Sequence, residues 1–167
     1  MAFRQKTQVA PARSITAEWL CDLNQGHLDS ARVFREASRV VSDESVAAIC
    51  DDISSQRQRY AEELEEYLTE FESEDHASLT TVVHRAWLDL RASFSTANPK
   101  AVLAEVLRGE RRLAHGYNRA IAALTGSPVL GMIGRHTREI AIDTARLAEL
   151  HAAFTDESDD FDEEEVS

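Results

Sequence analysis

Apolar side chains recur at intervals of three and four along four long stretches of this chain, the period of a helix that buries one face. The first stripe, within 16–41, runs Trp19, Leu23, His27, Ser30, Phe34, Ala37 and Val41. The second, within 43–72, runs Val46, Ile49, Ile53, Tyr60, Leu64, Tyr67, Leu68 and Phe71. The third runs Leu103, Val106, Leu107, Leu113, Tyr117, Ile121 and Leu124. The fourth, within 128–154, runs Met132, Ile133, Ile140, Leu147, Leu150 and Phe154. A shorter stripe over 79–95, with Leu79, Val83, Trp87, Leu90 and Phe94, predicts a shorter helix between the second and third.

Punctuation agrees with these segments. Ser14 or Thr16 can cap the first helix, and Ser42-Asp43-Glu44 closes it and opens the next, because short side-chain oxygens accept from the free amides of a first turn. Pro99 suits a first helical turn. Gly126-Ser127-Pro128 is a stop and a restart: Gly ends one helix, Ser127 caps the next and Pro128 enters its first turn. The predicted class is all-α. A short helix between the second and third long ones carries the chain along the bundle, so those two lie parallel. This is a ferritin-like four-helix bundle with a shorter crossover helix between helices 2 and 3.

Length and composition narrow the picture. The 167 residues make one domain: a flexible basic arm at 1–13, the bundle at 14–154 and a disordered acidic tail at 155–167. The chain is 43% hydrophobic but only 7% aromatic, with six Gly and three Pro, which favours helix over sheet. Eight carboxylates fall within 156–165, so the net charge of −12 belongs mostly to the tail and the rest carries only −4. With no basic face, nucleic-acid binding is not expected. No stretch approaches the roughly 20 apolar residues of a membrane span, and no secretory signal precedes the first helix, so a cytoplasmic location is expected. Cys21 and Cys50, the only cysteines, fall on or beside helical stripes and read as buried free thiols.

The stripes are interrupted at mid-height by polar residues: His27 on the first, Gln56 with Glu63 two turns on in the second, Glu110 on the third, and His136 followed by Glu139 and Asp143 on the fourth. A dinuclear metal bundle uses one Glu from each of two helices and Glu-x-x-His from each of the other two, because an i, i+3 pair can reach one ion. The residues three before His27, His76, His84, His115, His136 and His151 are Asn24, Ser73, Thr81, Arg112, Ile133 and Ala148, none a carboxylate. A single divalent site from Glu110, His136 and Glu139 or Asp143 remains open, with His27 at the same level and Glu63 as a further ligand. The alternative is structural: Glu110 pairs with Arg57 or another arginine, and His136 satisfies a neighbour.

The stretch His84-Arg85-Ala86-Trp87-Leu88-Asp89-Leu90-Arg91, followed by Ala101-Val102-Leu103-Ala104-Glu105 and Arg108-Gly109-Glu110, resembles an uncharacterised bacterial family of ferritin-like four-helix-bundle proteins. Fainter likeness extends to Phe34-Arg35-Glu36-Ala37 and Arg59-Tyr60-Ala61-Glu62-Glu63-Leu64, covering roughly residues 18–152. The resemblance implies a ferritin-like bundle that dimerises, with no assigned activity. It also implies further metal-binding carboxylates on the first and third helices and a His on the last. This chain departs there, with Ala31 and Arg32, Leu107 and Thr144 at the corresponding places.

Two functional readings follow. In the first the protein is a non-catalytic binding or structural module with a degenerate metal site and no cofactor, self-associating as a homodimer or higher homo-oligomer. In the second it is a metal-dependent oxidoreductase of the di-iron type, or an iron-handling protein, using iron or another divalent metal. The tail reads either as a solubilising brush or as a docking segment for a basic protein, with Phe161 as apolar anchor. No phosphate-binding loop, nucleophile elbow or zinc-protease motif occurs.

Overall fold

The computed structural model describes residues 14–71, 94 and 97–162. It contains four long helices: α1 (Ile15–Val40), α2 (Glu44–Phe71), α3 (Pro99–Ala123) and α4 (Leu130–Asp162), with no strand among the described residues. The expected basic arm at 1–13 and the end of the acidic tail lie outside the described residues. So does the short helix expected over 79–95, apart from Phe94, which is not helical and packs against the core.

The caps form largely where short polar residues precede the stripes. The Ser14 hydroxyl accepts from the amide of Ala17 at 3.2 Å, Asp43 from that of Val46 at 2.9 Å, and Asn98 from that of Ala101 at 3.2 Å. Each contact satisfies an amide that the helix itself leaves free. Gly126, at φ +82°, takes the left-handed turn that ends α3. Two boundaries differ from expectation. Ser127 does not cap with its side chain: its hydroxyl is buried without a partner, and its carbonyl accepts from the Leu130 amide at 3.2 Å instead. The turn is drawn inward because Val129 is buried, so α4 begins two residues beyond Pro128. At its other end α4 does not stop at Phe154 but runs to Asp162, taking in much of the segment expected to be disordered. No Gly or Pro interrupts that stretch, and extending an existing helix avoids the cost of nucleating a new one.

Cross-helix hydrogen bonds set the directions. Asn24 donates to the Ala61 carbonyl and Ser54 to that of Ala31, so α1 and α2 are antiparallel. The pairs His27–Tyr117 and Ser30–Glu110 make α1 and α3 antiparallel, and Arg57–Asp143 with Glu63–His136 do the same for α2 and α4. It follows that α2 and α3 run the same way. The Ser42 amide donates to the Ala97 carbonyl at 2.9 Å, tying the start of α3 to the α1–α2 turn.

The apolar core is divided in two. At one end Leu20, Leu23, Leu64, Leu113, Leu124, Met132, Ile133 and Ile140 pack together. At the other end Phe34, Val46, Cys50, Ile53, Leu103, Val106, Leu107 and Leu147 form a second cluster. Between them lies a layer of buried polar side chains from all four helices. Both cysteines are buried and outside any disulfide, as expected, and burial pushes the Cys50 thiol up to about 12.

Because the layers are separated, Leu20→Ala and Leu103→Ala should each lower stability by about 2–5 kcal/mol. In the double variant the losses should add to within roughly 0.5 kcal/mol. Urea unfolding of the three variants measures this, and a strongly non-additive pair would mean one continuous core.

Candidate functional site

The polar layer holds His27 and Ser30 from α1, Ser54, Arg57, Tyr60 and Glu63 from α2, Glu110 and Tyr117 from α3, and Arg135, His136 and Asp143 from α4. Of these His27, Arg57, Glu110, Tyr117 and His136 are fully buried. They sort into two hydrogen-bonded groups.

Arg57 centres the first group. Its Nη2 reaches Glu110 Oε2 at 2.5 Å and Asp143 Oδ2 at 2.9 Å, its Nε lies 3.4 Å from Glu110 Oε1, and its Nη1 donates to Gln56. Ser30 donates to Glu110 Oε1 at 2.7 Å. Burial works to lower the guanidinium pKa, but Glu110 and then Asp143 outweigh it, so Arg57 stays charged. A buried charge is tolerable only when paired and hydrogen-bonded, and here one planar cation engages carboxylates from two helices.

The second group is a chain of four side chains. His27 Nε2 lies 2.6 Å from the Tyr117 hydroxyl, which lies 2.9 Å from His136 Nδ1, while His136 Nε2 is 2.9 Å from Glu63 Oε2. Arg135, half exposed, holds the other oxygen of Glu63. Burial depresses both imidazoles: His27 falls well below the usual histidine value, helped by the charge of Arg57, and His136 falls despite the opposing pull of Glu63. Burial acts to raise Glu63, but hydrogen bonds from His136 and Arg135 prevail and hold it low.

These states assign every proton in the chain. The Glu63 carboxylate only accepts, so His136 donates from Nε2–H and leaves Nδ1 bare. That nitrogen accepts the Tyr117 O–H, whose oxygen accepts from Nε2–H of His27. Nδ1 of His27 is then a bare lone pair, and it is buried without a partner. Tyr60 stacks on His136 with ring centroids 4.1 Å apart and meets His27 edge-on. Burial raises the pKa of both Tyr60 and Tyr117, so the phenols remain protonated.

The fold brings His27, Glu63, Glu110, His136 and Asp143 into one layer. Glu139 is half-buried and joins no hydrogen bond or ion pair among the described residues; its charge acts on Tyr60. Gln56, expected at mid-stripe on the second helix, is half-buried, and the fully buried residue there is Arg57. Counting from Ile53 to Ala61 in steps of four passes through Arg57, so the signal was available. The sequence pattern places Tyr117 on an apolar stripe; its link to two histidines depends on contacts between helices that no spacing reveals. His115 is exposed and His151 half-buried, both outside the layer. No group of three or more His, Cys, Asp or Glu among the described residues is arranged to hold a metal ion.

The class these features define is an all-helical, four-helix protein with a polar layer through its core. The chain belongs to the family described as Domain of unknown function (DUF2383), which it matches over residues 16–123, from α1 to the end of α3. No curated protein and no solved structure matches it. No helix among the described residues is long and apolar enough to cross a membrane.

The depressed histidines make stability depend on pH. In the unfolded chain they take up protons near pH 6.5, while the folded chain refuses them until lower pH. Stability is therefore complete above about pH 7 and declines as pH falls toward 5. A His27→Gln variant should show a flatter decline in its urea midpoint over that window; an unchanged slope would mean that His27 is not held neutral.

Proposed function

We propose that this chain is a ferritin-like bundle acting as a non-catalytic binding or structural module, in which a buried arginine has the electrostatic role that a metal centre would otherwise have. The observation that carries this reading is Arg57, fully buried and engaging both Glu110 and Asp143. A ferritin-like arrangement is supported by the parallel course of α2 and α3.

The residues present do not fit a dinuclear centre. Such a site needs several carboxylates free to bridge two cations. Here Glu110 and Asp143 face a guanidinium, and Glu63 is engaged by His136 and Arg135. A cation placed among them would meet the positive charge of Arg57. The polar layer instead fixes helix register: sliding α2, α3 or α4 by a turn would strand a buried charge, at a cost of several kcal/mol.

One observation favours the second reading, a metal-dependent oxidoreductase or iron-handling protein. The bare Nδ1 of His27 is an imidazole lone pair of the kind that binds divalent metals, and the His27 and His136 rings lie 5.6 Å apart.

Metal content after chelator-free purification, followed by anaerobic Fe(II) titration, separates the two. The module reading expects no stoichiometric iron. It also expects Glu110→Gln to lower stability by about 3 kcal/mol with metal content unchanged. Roughly two tightly held ions per chain, lost in Glu110→Gln, would establish the oxidoreductase reading in its place.

A further inference from the structure

The outer faces of α1 and α3 carry a second stripe that the fold leaves only partly buried. On α1 it runs Ile15, Trp19, Asp22, Gly26, Asp29 and Val33, again in steps of three and four. On α3 it runs Gly109, Arg112, Gly116 and Arg119. Between the two helices lies an open groove of about 260 Å³ with apolar walls, and Ser30 and Glu110 at its floor. Such a volume is small for a metabolite pocket, whereas apolar centre and charged rim are the anatomy of a protein interface. Ile15, at 65% exposure, is one of two large hydrophobic residues left in solvent among the described residues, and it lies on this stripe.

The rims differ in sign. The α1 rim is acidic, Asp22 and Asp29, and the α3 rim is basic, Arg112 and Arg119. The contacts Ser30–Glu110 and His27–Tyr117 put Asp29 level with Arg112 and Asp22 level with Arg119. Arg119 stacks over Trp19, 5.4 Å from the ring centre. Asp29 has a distant pairing with Arg32 at 3.6 Å, while Asp22 and Arg112 form no ion pair among the described residues. Glycine is a poor helix former, yet two occur here where a side chain would meet little of this chain. A Cβ on Gly109 has nothing within 4 Å, and one on Gly116 only just touches Leu23.

From this arrangement we infer that the α1–α3 face is the interface of a symmetric homodimer, seating a second copy of this chain. A two-fold axis along the groove lays α1 of one copy against α3 of the other and preserves height. Asp22 and Asp29 then meet Arg119 and Arg112 of the second copy, twice over, while Gly109 and Gly116 let the backbones approach. A face with acid on one helix and base at matching heights on its neighbour is complementary to itself, as an isologous interface requires. The inference rests on the binding-module reading and gives that module its partner.

Sedimentation equilibrium on the full chain tests it. The wild type should run at twice the 18.6 kDa chain mass. The variants Asp22→Arg/Asp29→Arg and Arg112→Asp/Arg119→Asp should each self-associate at least about tenfold more weakly while keeping the wild-type helical circular-dichroism spectrum. Mixed in equal amounts they should form a heterodimer, since each then presents the charge the other lacks. Gly109→Trp, which places an indole at the groove from a position whose Cβ meets nothing within 4 Å, should also be monomeric. A monomeric wild type, dimers that survive in both charge variants, or a folded mixture that stays monomeric would each overturn the assignment. None of these outcomes touches the Arg57-centred reading, which the iron titration decides separately.

Discussion

A single buried guanidinium organises this protein. Arg57 lies at the centre of the bundle without solvent contact, and its charge must be answered inside the protein. Glu110 comes from α3 and Asp143 from α4, while Ser30 of α1 donates to Glu110, so one ion-pair network draws on all four helices. Such pairs add little net stability over a well-packed apolar core, because desolvation offsets the Coulomb gain. What they add is intolerance of any other alignment. Two Leu-rich layers could slide past one another at modest cost; a layer with a fixed cation and two anions cannot.

That constraint explains the second hydrogen-bonded chain. Once Arg57 holds its place, a charged imidazole nearby is disfavoured both by burial and by the guanidinium, so His27 and His136 are neutral. Neutral rings each have one donor and one acceptor, and Glu63 decides which nitrogen is which. The proton order therefore propagates inward from a partly exposed carboxylate to a buried lone pair on His27. The arrangement is specific, but its carboxylates are directed at protein cations rather than left free for a metal.

Much of the fold was legible along the chain. Steps of three and four located all four long helices, and Ser14, Asp43, Pro99 and Gly126 marked their ends through amides and turns that are local in sequence. The misreadings are instructive. The pattern points to Gln56 as the polar residue of the second stripe and to Arg57 only as one partner for Glu110, whereas Arg57 is the fully buried residue, because an arginine in an apolar row is ordinarily a surface residue. Ser127 looked like a cap and is not, since the burial of Val129 moved the helix start. The helix boundary expected at Phe154 lies at Asp162, because like charges weaken a helix without supplying the Gly or Pro that would end it.

The sequence by itself determined the helical class, the approximate span of each long helix and the presence of polar residues at mid-core height. Those follow from local periodicity and capping, which need no knowledge of neighbours. Only the tertiary structure decided what the polar residues do. Whether Glu110 meets a cation or a metal, and whether Tyr117 is filler or a link between two histidines, depends on which side chains from separate helices reach the same few ångströms. Position along the chain does not encode that distance; the packing of four helices around Arg57 does.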